Sequence, residues 1–225
     1  MKYARTNRGR SFMCLLTLLP VLAVAPCTTV WAQVPEFVGK TQSSAASGDQ
    51  TVVLAGGCFW GVDAIFKHVR GVSSVVSGYA GGSAATANYE TVSTGTTGHA
   101  ESVQITYDPS QVSYAQLLRI FFSVAHDPTE PNRQGPDIGP QYRSAIFYTS
   151  EDQKETALAY ITQLTKAKVF PKPIVTQVVA LPAFYPAEEY HQNFLARHPN
   201  YPYIVFYDMP KLRSLQERFA GVYRP

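Results

Sequence analysis

The sequence predicts a mixed α/β domain: a two-layer sandwich with a ferredoxin-like β-α-β-β-α-β core and a C-terminal helical elaboration. Three observations point there. Short β-branched runs alternate with stretches whose apolar residues recur at helical spacing. From Thr51 their order is strand, helix, strand, strand, helix, strand, which is the order of a split βαβ unit. The chain has 225 residues, 45% apolar and 16% charged, enough for one sizeable core.

The chain opens with a basic leader, Lys2, Arg5, Arg8 and Arg10, followed by an apolar run from Phe12 to Pro26. Val30-Trp31-Ala32 then offers a small residue for cleavage. Residues 1–32 therefore read as a secretory signal peptide, and the mature protein is expected across the inner membrane, in the periplasm of a Gram-negative source. Pro20 interrupts the run, and the run is short for a membrane span, which argues against an uncleaved anchor. Residues 33–50, rich in Ser, Ala, Gly and Gln, read as a flexible linker, and residues 51–225 as a single domain.

Within that domain Thr51–Leu54 is β-branched and apolar, a buried strand. Phe59, Val62, Ile65, Phe66 and Val69 share one stripe of a helix. Val72–Tyr79 is a second strand, closed by Gly78-Tyr79-Ala80-Gly81-Gly82. Ser83–Gly98 is a polar loop, and His99–Tyr107 alternates as a strand until Asp108-Pro109 stops it. Tyr114, Leu117, Leu118, Phe121 and Phe122 mark the next helix. Asp127–Gln141 is a loop rich in Pro and Gly, and Tyr142–Tyr148 is a strand. A helix at Glu151–Lys168, a strand at Ile174–Ala180, and helices at Ala187–Arg197 and Pro210–Phe219 complete the chain. Loops as long as Ser83–Gly98 and Asp127–Gln141 usually carry function.

The net charge of +3, with four basic residues in the first ten positions, argues against a nucleic-acid partner. His68, His99, His126, His191 and His198 show no metal-ligand spacing, and no bound cofactor is expected. There is no phosphate loop and no Gly-x-Ser-x-Gly. Cleavage after Ala32 would remove Cys14 and Cys27 and leave Cys58 as the sole thiol of a chain in an oxidising compartment. Such a thiol is either buried and inert or kept for its reactivity. It stands between two glycines and two aromatics at the start of a helix, where free N–H groups and the helix dipole favour a thiolate. Glu101 has the strand parity of Val103, Ile105 and Tyr107. It is either a strand-end carboxylate reaching water or a desolvated acid that holds its proton near neutral pH. Tyr79, Tyr89, Asp137 and Tyr142 supply further polar groups from strand ends and loops, and His99 could support Glu101. A thiol enzyme, such as a reductase or a peroxidase, and a non-catalytic ferredoxin-like module all remain open on these grounds.

Five ordered motifs narrow the choice. Gly57-Cys58-Phe59-Trp60-Gly61, Gly78-Tyr79-Ala80-Gly81-Gly82, Tyr89, Gly98-His99-Ala100-Glu101 and Gln141-Tyr142-Arg143-Ser144 together resemble the A-type peptide methionine sulfoxide reductases, from about Thr51 to about Arg197. The resemblance implies reduction of the S epimer of methionine sulfoxide, free or in oxidised proteins and peptides, through a Cys58 sulfenic acid. It implies that Cys58 attacks the sulfoxide sulfur, that Glu101 protonates its oxygen, and that Tyr89 and Tyr142 hydrogen-bond that oxygen with Asp137 nearby. Phe59 and Trp60 would enclose the S-methyl group. Many relatives carry recycling cysteines near the C-terminus; here Pro202-Tyr203 stands in that region, and position 93 is Ser93. A one-cysteine monomer recycled by an external thiol is therefore expected, whether thioredoxin-like, glutaredoxin-like or a small molecule.

Overall fold

The computed structural model describes Met1, residues 33–39 and residues 48–225. The leader expected over residues 1–32 lies, Met1 apart, outside the described residues, as do residues 40–47 of the expected linker. In chain order the elements are β1 (Gln50–Gly56), α1 (Phe59–Lys67), β2 (Val72–Ala80), α2 (Tyr89–Val92), β3 (Ala100–Tyr107), α3 (Tyr114–Ile120), β4 (Arg133–Gln134), β5 (Asp137–Ile138), β6 (Ser144–Tyr148), α4 (Glu151–Lys166), β7 (Gln177–Ala180), β8 (Phe184–Pro186), α5 (Phe194–Arg197) and α6 (Met209–Arg218).

Six strands form one sheet in the order β7-β6-β1-β3-β2-β8, and β4 and β5 form a small hairpin apart. β1 is antiparallel to both β3 and β6, and β3 is antiparallel to β2. β1 and β2 therefore run the same way with β3 between them. β7 extends the sheet parallel to β6, and β8 closes the other edge against β2. The protein is a mixed α/β fold.

Strand alternation sorts the two faces. Val52, Leu54, Val103 and Ile105 join Ile65, Phe66, Leu117 and Phe122 in the large core between sheet and helices. Val53, Ala55, Ala80, Ala100, Ala145 and Phe147 form a thin layer on the opposite face, under Leu181 and Phe184. Each fully buried Leu, Ile or Phe contributes roughly 1.5–3 kcal/mol, so the first face carries most of the stabilisation. It is also the face on which Glu101 falls.

Several expectations change. The start of the expected linker is docked, not loose. Val34 is buried, and Arg119 Nε donates to its carbonyl at 3.0 Å. Tyr160 donates to Pro35 O at 2.6 Å, and the Gln163 side chain joins both Glu36 O and Val38 N. Composition masked the apolar residues Val34 and Phe37; the latter meets Tyr160 edge-on. The loop Ser83–Gly98 contains α2, capped by Asn88 Oδ1 accepting the Thr91 N–H at 3.0 Å. The helix expected over Ala187–Arg197 is broken. Gln192 is extended and Asn193 is left-handed at φ 55°. The Gln192 side chain instead bonds Ser77 N and O, at 3.0 and 2.9 Å, and so binds this segment to β2. Of the strand expected from Ile174, only Gln177–Ala180 pairs.

Candidate active site

The site is built where β1 turns into α1. Gly57 has φ +87°, and a Cβ there would lie 2.6 Å from Gln134 Cβ, so only glycine fits. That turn leaves Cys58 at the N-cap position of α1, with φ −52° and ψ 123°. Its sulfur accepts the Trp60 N–H, one of the donors at the helix start. Cys58 is 8% exposed. Burial raises its pKa well above the ordinary value, and the charges of Glu101, Asp208 and Asp137 add to the shift; the Trp60 N–H opposes them. The expectation of a thiolate favoured by the helix start is thus overturned. One N–H and a short helix do not outweigh desolvation and three nearby carboxyl groups.

Glu101 lies on the helix-facing side of β3 and is 4% exposed. Its Oε2 accepts the Phe59 N–H at 3.0 Å, which ties β3 to the turn beside Cys58. Burial pushes its pKa up to about 8 against the pull of that N–H. The carboxyl therefore holds its proton at neutral pH, as parity suggested. His99 does not support it. The His99 ring accepts the Gly82 N–H at Nδ1, which leaves Nε2 to donate to Ser83 O at 3.0 Å, so its work is to hold the loop after β2.

Tyr89 begins α2, and Tyr142 ends a single helical turn, Pro140–Tyr142. Burial raises both phenols, and each feels the charges of Glu101 and Cys58. The two loops therefore bring their hydroxyl-bearing rings to the same thiol and acid. Asp137, on β5, is half-buried and accepts a short hydrogen bond from the Tyr203 hydroxyl. Burial raises its pKa, while Tyr203 and Lys211 pull it down. Phe59 is fully buried, tilted against Tyr79 and His191 at centroid distances of 5.9 and 5.0 Å. Trp60 keeps exposed surface. It stacks on Phe194 at 3.7 Å and meets the edges of Tyr201 and Tyr203 at 6.2 and 5.9 Å. Of the two aromatics expected beside the thiol, Trp60 presents the wall and Phe59 backs it. Tyr79 is fully buried and donates to Glu188 Oε2 at 2.9 Å, a structural bond.

Four residues were missed from sequence. His191 Nδ1 accepts the Trp60 Nε1–H at 3.1 Å, and its ring lies 4.4 Å from that of Tyr89. Burial lowers its pKa, so it stays a neutral spacer between the two aromatics. Glu188 Oε1 accepts the Tyr89 N–H at 2.9 Å. Asp208, with a fully buried side chain, places Oδ1 2.2 Å from where a Cβ on Gly61 would lie and pairs with Lys211 at 3.3 Å. Tyr203 positions Asp137. No periodicity marks these residues. The signal was the density of aromatic and acidic side chains in Ala187–Asp208. Among the described residues no group of His, Cys, Asp and Glu could hold a metal ion.

Comparison with known proteins gives the family. A family model described as peptide methionine sulfoxide reductase matches residues 50–221. A protein of Mesorhizobium japonicum named peptide methionine sulfoxide reductase MsrA 2 is 59% identical over 179 residues, covering 80% of this chain and 92% of the relative. A Thermus thermophilus protein named peptide methionine sulfoxide reductase MsrA is 52% identical over 177 residues, covering 79% and 99%. The reduced form of Mxr1 from Saccharomyces cerevisiae superposes with a TM-score of 0.64 at 33% identity, covering 69% of this chain and 89% of that one. Methionine sulfoxide reductase A of Corynebacterium diphtheriae gives a TM-score of 0.58 at 33% identity, covering 70% and 78%.

Proposed function

The chain belongs to the peptide methionine sulfoxide reductase family, and from that premise we propose how its own residues carry out the reaction. The enzyme is a peptide-methionine (S)-S-oxide reductase and returns methionine sulfoxide to methionine. In our reading the Cys58 sulfur attacks the sulfoxide sulfur. Charge builds on the sulfoxide oxygen, and Glu101 gives it a proton while the Tyr89 and Tyr142 hydroxyls donate hydrogen bonds. Collapse transfers the oxygen to Cys58 and releases the thioether. Thiol plus sulfoxide becomes sulfenic acid plus methionine, with the thiol proton returned through Glu101. Asp137, held by Tyr203, borders this pocket, and Trp60 backed by Phe59 takes the methyl group.

The observation that carries the assignment is the buried Glu101 carboxyl bonded to the Phe59 N–H, one residue from Cys58, where loss of solvent favours its protonated form. A resting thiol also fits. Protonated Cys58 resists idle oxidation until a polarised sulfoxide lies against it.

Two external thiol groups, from two molecules of a small compound or from the dithiol of one thioredoxin-like or glutaredoxin-like protein, then act in turn: the first forms a mixed disulfide with Cys58 and releases water, and the second frees the Cys58 thiol and leaves the reductant as a disulfide. The reading of residues 1–32 as a cleaved signal supports this, since the mature chain would hold Cys58 alone. We place the mature enzyme in the periplasm on the same ground, with 51–225 as its catalytic domain. The strand order β6-β1-β3-β2 with antiparallel neighbours supports a ferredoxin-like reading of the sheet's centre.

One turnover without reductant tests the scheme. A methionine-S-sulfoxide peptide should leave stoichiometric methionine and one dimedone adduct, mapped to Cys58. The Cys58→Ser variant should give neither. An intramolecular disulfide in the oxidised mature enzyme would sink the one-cysteine scheme.

A further inference from the structure

We propose that the aromatic rim around the Trp60 pocket is a docking surface for polypeptide, and that it selects methionine sulfoxide flanked by apolar residues. This rests on the reductase reading above and extends it to the substrate's neighbours. Tyr201–Tyr207 is a run of seven uncharged residues, four of them aromatic. Buried residues would explain such a run, yet Phe206 is 72% exposed, and Tyr201, Val205 and Tyr207 are exposed as well. Ile138, next to Asp137 on β5, is 69% exposed, and Tyr190 is exposed beside His191. Of the eleven exposed large hydrophobics among the described residues, these six belong to the segments that build the site. Exposed apolar side chains gathered at one place mark an interaction surface; scattered ones do not.

A series of rings leads outward from the pocket into this segment. The Trp60 and Tyr203 rings lie 5.9 Å apart, and those of Tyr203 and Tyr207 5.0 Å apart. Ile138 follows Asp137, the carboxylate that Tyr203 bonds. A polypeptide whose sulfoxide side chain enters the pocket sets its next residues about 3.4 Å apart along its backbone, so one or two flanking side chains on each side meet this rim. The chemistry of the substrate matches. Methionine is a core residue, and its sulfoxide disrupts apolar packing, so an oxidised methionine emerges among apolar neighbours. A charged partner surface would find no counter-charge on Tyr201–Tyr207.

The test compares kcat/KM for N-acetyl-methionine-S-sulfoxide and for pentapeptides with the sulfoxide flanked by Leu and Phe or by Ser and Gly, with dithiothreitol as reductant. The wild-type enzyme should prefer the apolar peptide by about tenfold, through KM. The Phe206→Ser, Ile138→Ser double variant should lose that preference and keep its rate on the acetylated amino acid, while Phe206→Leu should keep the preference. Wild-type turnover without a flank preference, or a preference that survives in the double variant, overturns the docking proposal alone. It is also overturned if the double variant loses activity only when a thioredoxin-class protein replaces dithiothreitol, or loses a dimer seen in sedimentation. Failure of the wild type to reduce any of these sulfoxides would overturn the reductase reading, and the docking proposal with it.

Discussion

At the scale of single residues, the reactive pair is Cys58 and Glu101, and their titrations are coupled. Up to about pH 8 Glu101 is neutral and leaves the thiol's charge balance alone; above that it becomes a second anion and pushes the thiol higher. Iodoacetamide should therefore alkylate Cys58 slowly at pH 7, with a rate that climbs only above pH 9. Glu101→Gln removes the anion and leaves the burial, so alkylation at pH 9 should become faster, by roughly tenfold for each unit that the thiol pKa drops. The same variant should lose about 10²–10⁴ in sulfoxide reduction at neutral pH, because the amide cannot give up the proton. Opposite changes in the two rates would separate acid catalysis from mere exposure of the sulfur. Parallel losses would show that Glu101 only holds the turn together.

At the scale of elements, the start of α1 is fixed from two sides where a side chain cannot be tolerated. Gln134 lies against Gly57, and Asp208 lies against Gly61. Asp208 cannot easily withdraw: its side chain is buried and paired with Lys211, and it heads α6 directly after the π-helical turn Ile204–Asp208. Gly61→Ala should therefore cost about 1–3 kcal/mol in urea unfolding. It should also slow sulfoxide reduction, since the start of α1 must then shift away from Asp208 and take Trp60 and the Cys58 turn with it. Little of this device was legible in the sequence. The glycines beside Cys58 announced a tight turn, and the parity of Glu101 placed it on the buried face, because both are local patterns. The partners Asp208, His191, Glu188 and Tyr203 lie over 80 residues away in a segment without periodicity, and only folding brings them in. The helix dipole was legible too, but it misled: its effect depends on the desolvation and neighbouring charges that the rest of the chain imposes. Val34 escaped notice for the opposite reason, as one apolar residue in a stretch whose composition looked like linker.

At the scale of the whole molecule, the site is placed in the core at a cost to stability that pH should reveal. Glu101 rises from an ordinary 4.5 to about 8 on folding, so between those values the folded chain binds more protons than the unfolded one. Unfolding free energy then falls as pH rises through that window. Asp63, raised from 3.8 to about 6 by burial against the pull of Lys67, acts in the same direction but is spent by pH 6.5. His126 acts the other way. Burial lowers it from 6.5 to about 3, so the folded chain binds fewer protons, and stability rises with pH until about 6.5. Below that point the terms oppose one another; above it the His126 contribution fades within about one pH unit while Glu101 still titrates. From pH 6.5 to 8 Glu101 alone should remove about 1–2 kcal/mol. Denaturant midpoints at the two pH values, measured on the wild type and on Glu101→Gln, isolate this term, because every other group is common to both chains. The wild type should lose more stability than the variant by that amount. Equal losses would mean that Glu101 titrates in the folded protein as it does in water, and a carboxylate already ionised at neutral pH has no proton to give a sulfoxide.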